Sequence, residues 1–263
     1  MFNKTTLLEK LFCEFDISNL PHGIKEDKLG DLMEKYCDTL LNSPVLLEKY
    51  KNFTLNSCDT DEYVYSLIMS KYDRNPRDII KVTSTTDIKH RLSGGNSKTD
   101  VLAKIVFSNG DFYLPISVKQ TTVPKVAMAE FDAETIFREV GITDPIVKEL
   151  ILKHQIDASA KNFTPQQKLQ LKEGLAPFAR AFVRWVVTGT PYPTNDLRFP
   201  EVLVKIRMSK NDEILDIKVY SVDEYVDTIM LDKHGNIKSG GFGTGLSWTY
   251  ATGSKGRKLQ FKG

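Results

Sequence analysis

Cysteine is scarce: Cys13, Cys37 and Cys58 are the whole set, odd in number and without CxxC spacing. That excludes a disulfide framework and a thiolate zinc site, and it suits a reducing cytoplasm. The four histidines, His22, His90, His154 and His234, are scattered, and their spacing suggests no nucleophile–histidine pair. No run reaches the ~18 apolar residues of a membrane span. The opening MFNKTTLLEKLFCEF holds acids and no small-residue cleavage site, so it does not read as a signal peptide. No internal repeat appears. Acid is missing from one region in particular. From Lys233 onward stand Lys233, Lys238, Lys255, Arg257, Lys258 and Lys262, with no Asp or Glu at all, although the whole chain nets only +2. The end of the chain is therefore a candidate anion-binding footprint and the remainder is net acidic.

The chain does have an ordinary globular share of apolar residues, 41% of its 263, enough for a sizeable core. Its chemistry-bearing stretch is residues 93–120, a turn at Gly94 and Gly95, then Asp100, an apolar strand, a turn at 108–111, and a second strand ending at Lys119. Side chains two apart on a strand share a face, so Ser117 and Lys119 point one way while Ile116 and Val118 point into a core. In a hairpin the start of one strand lies beside the end of the other, which brings Asp100 close to Lys119. A carboxylate to hold a divalent cation, with a lysine for the attacking water and the developing charge, is what metal-dependent hydrolysis needs.

Around that hairpin the periodicity predicts helices over 4–15, 25–41 and 62–71, and a strand over 79–86. The 25–41 helix buries Leu29, Leu32, Met33, Tyr36 and Leu40 and carries Glu34 beside that face. Residues 42–61 read as polar and turn-rich, and 120–125 as a loop broken by Pro124. Helical segments follow over 131–140, 144–154 and 164–187. Asp144-Pro145 and Thr164-Pro165 serve as N-cap signals, and Pro177 interrupts the third segment. That third segment is expected to bury Leu169, Leu175, Phe178, Phe182 and Trp185. Strands over 201–208 and 213–220 and a helix over 222–230 lead into the C-terminal arm.

The arm GFGTGLSWTYATGSKGRKLQFKG mixes aromatics, small hydroxyl residues and cations. Its glycines do not follow GxGxxG, no helix comes after them and no acid lies downstream, so a dinucleotide loop is excluded. Two short strands, 247–251 and 258–262, fit instead, and a two-stranded ribbon can enter the DNA major groove. Thr249, Thr252, Gln260 and Lys262 then supply donors and acceptors suited to G·C pairs. The expected architecture is α/β: one domain over 1–263 with a mixed central sheet flanked by helices. Within it lie the hairpin 93–120, a helical middle 130–188 and a C-terminal DNA-reading arm 238–263.

The motifs SGGNSKTD and ISVK, with AEFDAETI, KHQIDASAKNFTPQQK, FVRW and the arm, resemble the type II restriction endonucleases that cut CCGG, a branch of the PD-(D/E)xK nucleases. The resemblance covers nearly the whole chain and is most specific in the arm. It implies a Mg²⁺-dependent endonuclease acting on double-stranded DNA, with a companion DNA methyltransferase to protect the host. The catalytic Asp falls on Asp100 and the lysine on Lys119, with Mg²⁺ held by Asp100 and the backbone carbonyl of Val118. Ser117 stands where the family has Asn and where the wider superfamily has a carboxylate. Base readers fall on Thr249, Thr252, Gln260 and Lys262. A serine reader falls on Ala127, which has no hydroxyl. Gly94, Gly95, Lys98, Lys125, Lys255, Arg257 and Lys258 are candidates for DNA-backbone contact, and Glu34 is the candidate third carboxylate. A sequence-specific DNA-binding protein of the same fold, silenced at Ser117, is the alternative.

Overall fold

A computed structural model describes residues 5–17, 20–72, 74–90, 96–209, 211–250 and 258–263. In chain order the elements are α1 (Thr6–Phe15), α2 (His22–Leu41), α3 (Pro44–Lys51), α4 (Thr60–Met69), β1 (Ile79–Thr85), β2 (Val101–Phe107), β3 (Gly110–Thr121), β4 (Ala127–Phe131), α5 (Ala133–Val140), α6 (Pro145–Asp157), α7 (Pro165–Leu175), α8 (Ala179–Thr188), β5 (Val202–Met208), β6 (Ile214–Ser221), α9 (Val222–Met230), β7 (Ser247–Tyr250) and β8 (Leu259–Lys262). They divide into two compact units. One comprises residues 1–124 and 196–221, the other 125–195 and 222–263. No described helix is long and apolar enough to cross a membrane.

The first unit is built on a five-stranded mixed sheet in the order β1-β2-β3-β5-β6. The first three strands form an antiparallel meander, β5 joins β3 in parallel, and β6 returns antiparallel. The core face is written in period two. Val101, Ala103 and Ile105 stand opposite Ile116, Leu114 and Phe112, and Val118, Val204 and Val219 continue the row. Helix α2 closes this core with Leu29, Leu32, Met33, Tyr36 and Leu40, all buried at the predicted spacing. Each such side chain contributes about 1.5–3 kcal/mol on burial, so the amphipathic stripe and not intrinsic propensity holds α2 in place.

One stretch differs from its prediction. Residues 44–51, read as turn, form α3. Ser43 Oγ accepts from the amide of Leu46, Pro44 occupies the first turn, and Leu46 and Leu47 are buried. The capping chemistry was present, but the aliphatic residues Val45, Leu46 and Leu47 are consecutive and give no helical period to announce a helix.

The second unit pairs helices with a three-stranded antiparallel sheet in the order β4-β8-β7. Asp144 and Thr164 cap α6 and α7 as expected, the latter in a full capping box with Gln167. Pro177 sits in a 3₁₀ turn, Ala176–Phe178, that divides α7 from α8. Leu175, Phe182 and Trp185 are buried and Phe178 is half-buried. Leu169 is 46% exposed, contrary to expectation, because it falls on the outer side of the turn that buries Leu171 and Leu175. Strand β4 corrects a second expectation. The arm is not a two-stranded ribbon: β8 is its central strand, with β4 on the side away from β7. The five residues of β4 follow a polar, proline-containing loop and carry too short an alternation to stand out.

Candidate active site and DNA-reading surface

The hairpin of β2 and β3 brings its two ends together through register. Val101 faces Ile116, and the Asp100 amide donates to the Ile116 carbonyl at 2.8 Å. Asp100 therefore lies beside residues 117–119. Three donors converge on its Oδ2: the Ser117 hydroxyl at 2.9 Å, the Val118 amide at 2.8 Å and the Lys119 ammonium at 3.0 Å. The ammonium also donates to the Val118 carbonyl at 3.1 Å. Approach to Asp100 is further fixed by Thr99 and Lys98, whose amides donate to the Arg198 carbonyl. Asp100 and Lys119 side chains retain 17% and 20% exposure, enough to meet a ligand, while Ser117 is fully buried.

Helix α2 adds an acid to this group. Burial pushes the Glu34 carboxyl up to about 7, the Asp100 carboxylate pushes it further in the same direction, and Lys119 opposes them. One turn along, burial first and then Glu34 and Asp100 push the Cys37 thiol up to about 12. Glu34 thus stands within the electrostatic reach of both Asp100 and Lys119. Among the described residues no group of three or more His, Cys, Asp and Glu side chains is placed to hold a metal ion. The oxygen donors at hand are the Asp100 and Glu34 carboxylates and the Val118 carbonyl. All are hard ligands, and two acids crowd against a single lysine. A divalent cation of the Mg²⁺ type fits that donor set and that charge.

The second unit carries the reading candidates on one sheet. Thr249 on β7, Gln260 on β8 and Glu130 on β4 are in register. The Thr249 hydroxyl donates to Gln260 Oε1 at 3.2 Å, and Gln260 Nε2 donates to Glu130 at 2.8 Å. The Gln260 amide is held from both sides. Lys262 shares its face, flanked in register by Ser247 and Ala127, and Lys125 donates to Ser247 Oγ at 2.6 Å. Behind this face Phe261 is buried against Phe182 and Trp248, and Trp248 stacks edge-on with His154 and Phe242. A cleft of about 870 Å³ opens beside it, lined by Lys125, Lys168, Lys172, Ser247, Thr249 and Tyr250 among others.

Of the residues singled out in the sequence, Asp100, Ser117, Val118 and Lys119 meet in the first unit, with Glu34 near enough to feel the charges of Asp100 and Lys119. Thr249, Gln260 and Lys262 meet in the second, with Lys125 beside them. Lys98 lies two residues before Asp100, and Lys258, exposed, immediately precedes β8. Thr252, Lys255, Arg257, Gly94 and Gly95 lie outside the described residues. Ser247 and Glu130 were missed. Period two along β7 from Thr249 would have found Ser247; Glu130 had no signal until β4 was known to be a strand.

The family described as restriction endonuclease MspI matches residues 8–263. Type II restriction enzyme MspI of Moraxella sp is 38% identical over 266 residues, spanning 99% of this chain and 100% of that protein. Type II restriction enzyme BsuFI of Bacillus subtilis is 24% identical over 254 residues, spanning 93% of this chain and 61% of that one. The crystal structure of restriction endonuclease MspI in complex with its cognate DNA superposes with a TM-score of 0.88 at 37% identity, covering 99% of this chain and 100% of the other. With a family match over almost its full length and a curated relative well above 30% identity, the chain belongs to the MspI family of type II restriction endonucleases, enzymes that cut DNA site-specifically.

Proposed function

We propose that this enzyme hydrolyses phosphodiester bonds of double-stranded DNA at CCGG in a Mg²⁺-dependent reaction. The observation that carries the proposal is the convergence of Ser117, Val118 and Lys119 on one oxygen of Asp100, with Glu34 in electrostatic contact. Asp100 and the Val118 carbonyl, with Glu34 as third carboxylate, would hold the ion. When bound it supplies Lewis-acid stabilisation of the charge that develops on the phosphate. Ser117 and the Val118 amide fix the carboxylate so that it does not reorganise during the reaction. Lys119, an ammonium already paired with Asp100, brings positive charge to the attacking water and the scissile phosphate. Water attacks phosphorus in line, and the 3′ oxygen leaves.

Site choice falls to the arm. Lys262 can donate to guanine O6 and N7, and Thr249 and Gln260, with Thr252, to G·C edges. Ala127 brings no hydroxyl to that surface. Gly94, Gly95, Lys98, Lys125, Lys255, Arg257 and Lys258 are assigned to backbone phosphates, which position the protein without reading sequence. Such an enzyme works in the cytoplasm beside a companion DNA methyltransferase that protects the host's own sites.

Digestion of a plasmid with known CCGG sites, with Mg²⁺ and with EDTA, tests the proposal. Discrete fragments ending at CCGG, seen with Mg²⁺ alone, are expected. Asp100→Ala should abolish cleavage and keep CCGG binding in a gel shift. Near-wild-type cleavage by that variant would remove Asp100 from the site. Binding of CCGG by the wild type with no cleavage at all would favour the silenced DNA-binding protein.

A further inference from the structure

Strand register lines up a row of cations that starts at the candidate catalytic lysine. Lys119 on β3 faces Lys205 on β5, and Lys205 faces Lys218 on β6. The alternate face of the same three strands carries Val118, Val204 and Val219 in the core, so the lysines share the opposite face. Neighbouring strands lie ~4.8 Å apart, which spaces Lys218 about 10 Å from Lys119 at the backbone. Two residues along β5, Arg207 stands on this same face, opposite Asp216 of β6. A groove of roughly 280 Å³ runs here, lined by Pro124, Lys205, Arg207, Asp216 and Lys218.

The groove carries more positive charge than it can neutralise. Among its described lining residues Asp216 is the single acid, 3.5 Å from Lys218. The Arg207 Nε is buried without a hydrogen-bond partner among the described residues, a donor left over by the fold. Burial, and then the neighbouring Lys218 ammonium, hold Lys205 below the usual lysine range. Lys205 Nζ donates to the Pro124 carbonyl at 3.0 Å, so its head is anchored at the rim. A core-facing explanation fails, because Lys218 is 56% exposed. The feature asks for an anion that lies along the strands' outer face.

We propose that the row Lys205–Arg207–Lys218 is a phosphate track that continues from Lys119 and grips the DNA backbone beside the scissile phosphate. This rests on the endonuclease function proposed for the same site. A duplex strand presents one phosphate per ~3.4 Å of helix axis, so a row of this length can engage more than one of them. The contacts are to backbone and carry no sequence information. They position the duplex so that the phosphate to be cut meets Asp100 and Lys119.

The test uses the full chain with Lys218→Gln, Arg207→Gln and Asp216→Asn. Binding to CCGG and random duplexes is measured in EDTA over a salt series, and cleavage of a CCGG plasmid with Mg²⁺. Each cation variant should flatten the plot of log Kobs against log salt by about 0.9 for every phosphate it no longer neutralises. It should weaken both duplexes alike and raise KM by a larger factor than it lowers kcat. Asp216→Asn should do the reverse and tighten both duplexes at low salt, a gain that no folding defect produces. Unchanged slopes in both cation variants, beside a wild type that binds and cuts, would overturn the track. A wild type that neither binds nor cuts CCGG would overturn the endonuclease function, and the track with it.

Discussion

One oxygen, Oδ2 of Asp100, collects a hydroxyl, an amide and an ammonium. Of the three donors, Ser117 is the informative one, since nuclease cores of this superfamily usually have a carboxylate there. Its hydroxyl donates to Asp100; a carboxylate could only repel it. In a metal-free protein a second acid at a fully buried position has no compensating charge beyond Lys119. Ser117→Asp should therefore destabilise the protein in EDTA by on the order of 3 kcal/mol, the cost of an uncompensated buried charge. Mg²⁺ should restore most of that stability, because the new carboxylate then has a cation to bind. Thermal melts of wild type and variant with EDTA and with Mg²⁺ measure both. An equal destabilisation in the two conditions would mean that position 117 does not face the cation. Glu34 belongs to this scale too. Nothing in its sequence neighbourhood separates it from a surface glutamate; only the packing of α2 on the sheet gives it Asp100 and Lys119 as neighbours.

At the scale of the element, the arm's glycines explain a motif that composition alone left odd. Gly245 has φ +75°, and a Cβ there would sit 1.9 Å from the Ile229 carbonyl oxygen and 3.2 Å from Met230 Cα. Gly235, in the turn at 232–236, has a similar φ of +81° but nothing within 4 Å. Gly235→Ala should cost about 1 kcal/mol, the backbone term alone. Gly245→Ala adds a collision between fixed backbones and should cost about 3 kcal/mol or more. Urea denaturation of the two variants compares them, and equal costs would mean that the close approach to α9 is not rigid. The chain's elements were legible where a long apolar period ran, as in α2 and the β2–β3 hairpin, or where a cap opened a periodic segment, as in α6 and α7. They were illegible where a cap had no long period behind it. Ser43-Pro44 announced α3 without a long apolar stripe. β4 had neither a cap nor enough residues, so the three-stranded arm, and with it Glu130, could not be foreseen.

The same element scale holds a pH response. His154 on α6 packs edge-on against Phe163, Phe242 and Trp248, and its Nδ1 is buried without a partner among the described residues. Burial holds its imidazole below the usual histidine range, with Asp157 opposing weakly. The unfolded chain then binds a proton more readily than the folded one. Stability from this group is complete above pH ~6.5, the free histidine value, and is lost as pH falls below it toward the depressed folded value. His154→Phe keeps the aromatic contacts and removes the titration. Its melting temperature should fall less than that of wild type between pH 7.5 and 5.5, as followed by tryptophan fluorescence. Parallel decreases in the two proteins would assign the acid sensitivity elsewhere.

At the scale of the whole molecule, the residues proposed to cut and those proposed to read fall in different compact units, the acids and Lys119 in one and the arm in the other. A net charge of only +2 conceals this division, since six of the cations fall in the last 31 residues with no acid among them. On the proposed function the local excess would attract any duplex, and discrimination would have to come from a few side chains held in one geometry. Lys262 is the sharpest case. It shares a face with the doubly held Gln260, and its ammonium has no acidic partner among the described residues. If it reads a guanine, Lys262→Ala should cost about 1–3 kcal/mol on CCGG duplex and almost nothing on random duplex. If it serves only as one more cation of the tail, both duplexes should weaken equally and the salt dependence should flatten by about one unit. Titrating both duplexes at two salt concentrations decides between reader and phosphate contact. The first outcome would tie the specificity of the whole enzyme to a residue chemically indistinguishable, in sequence, from the four other lysines of the tail.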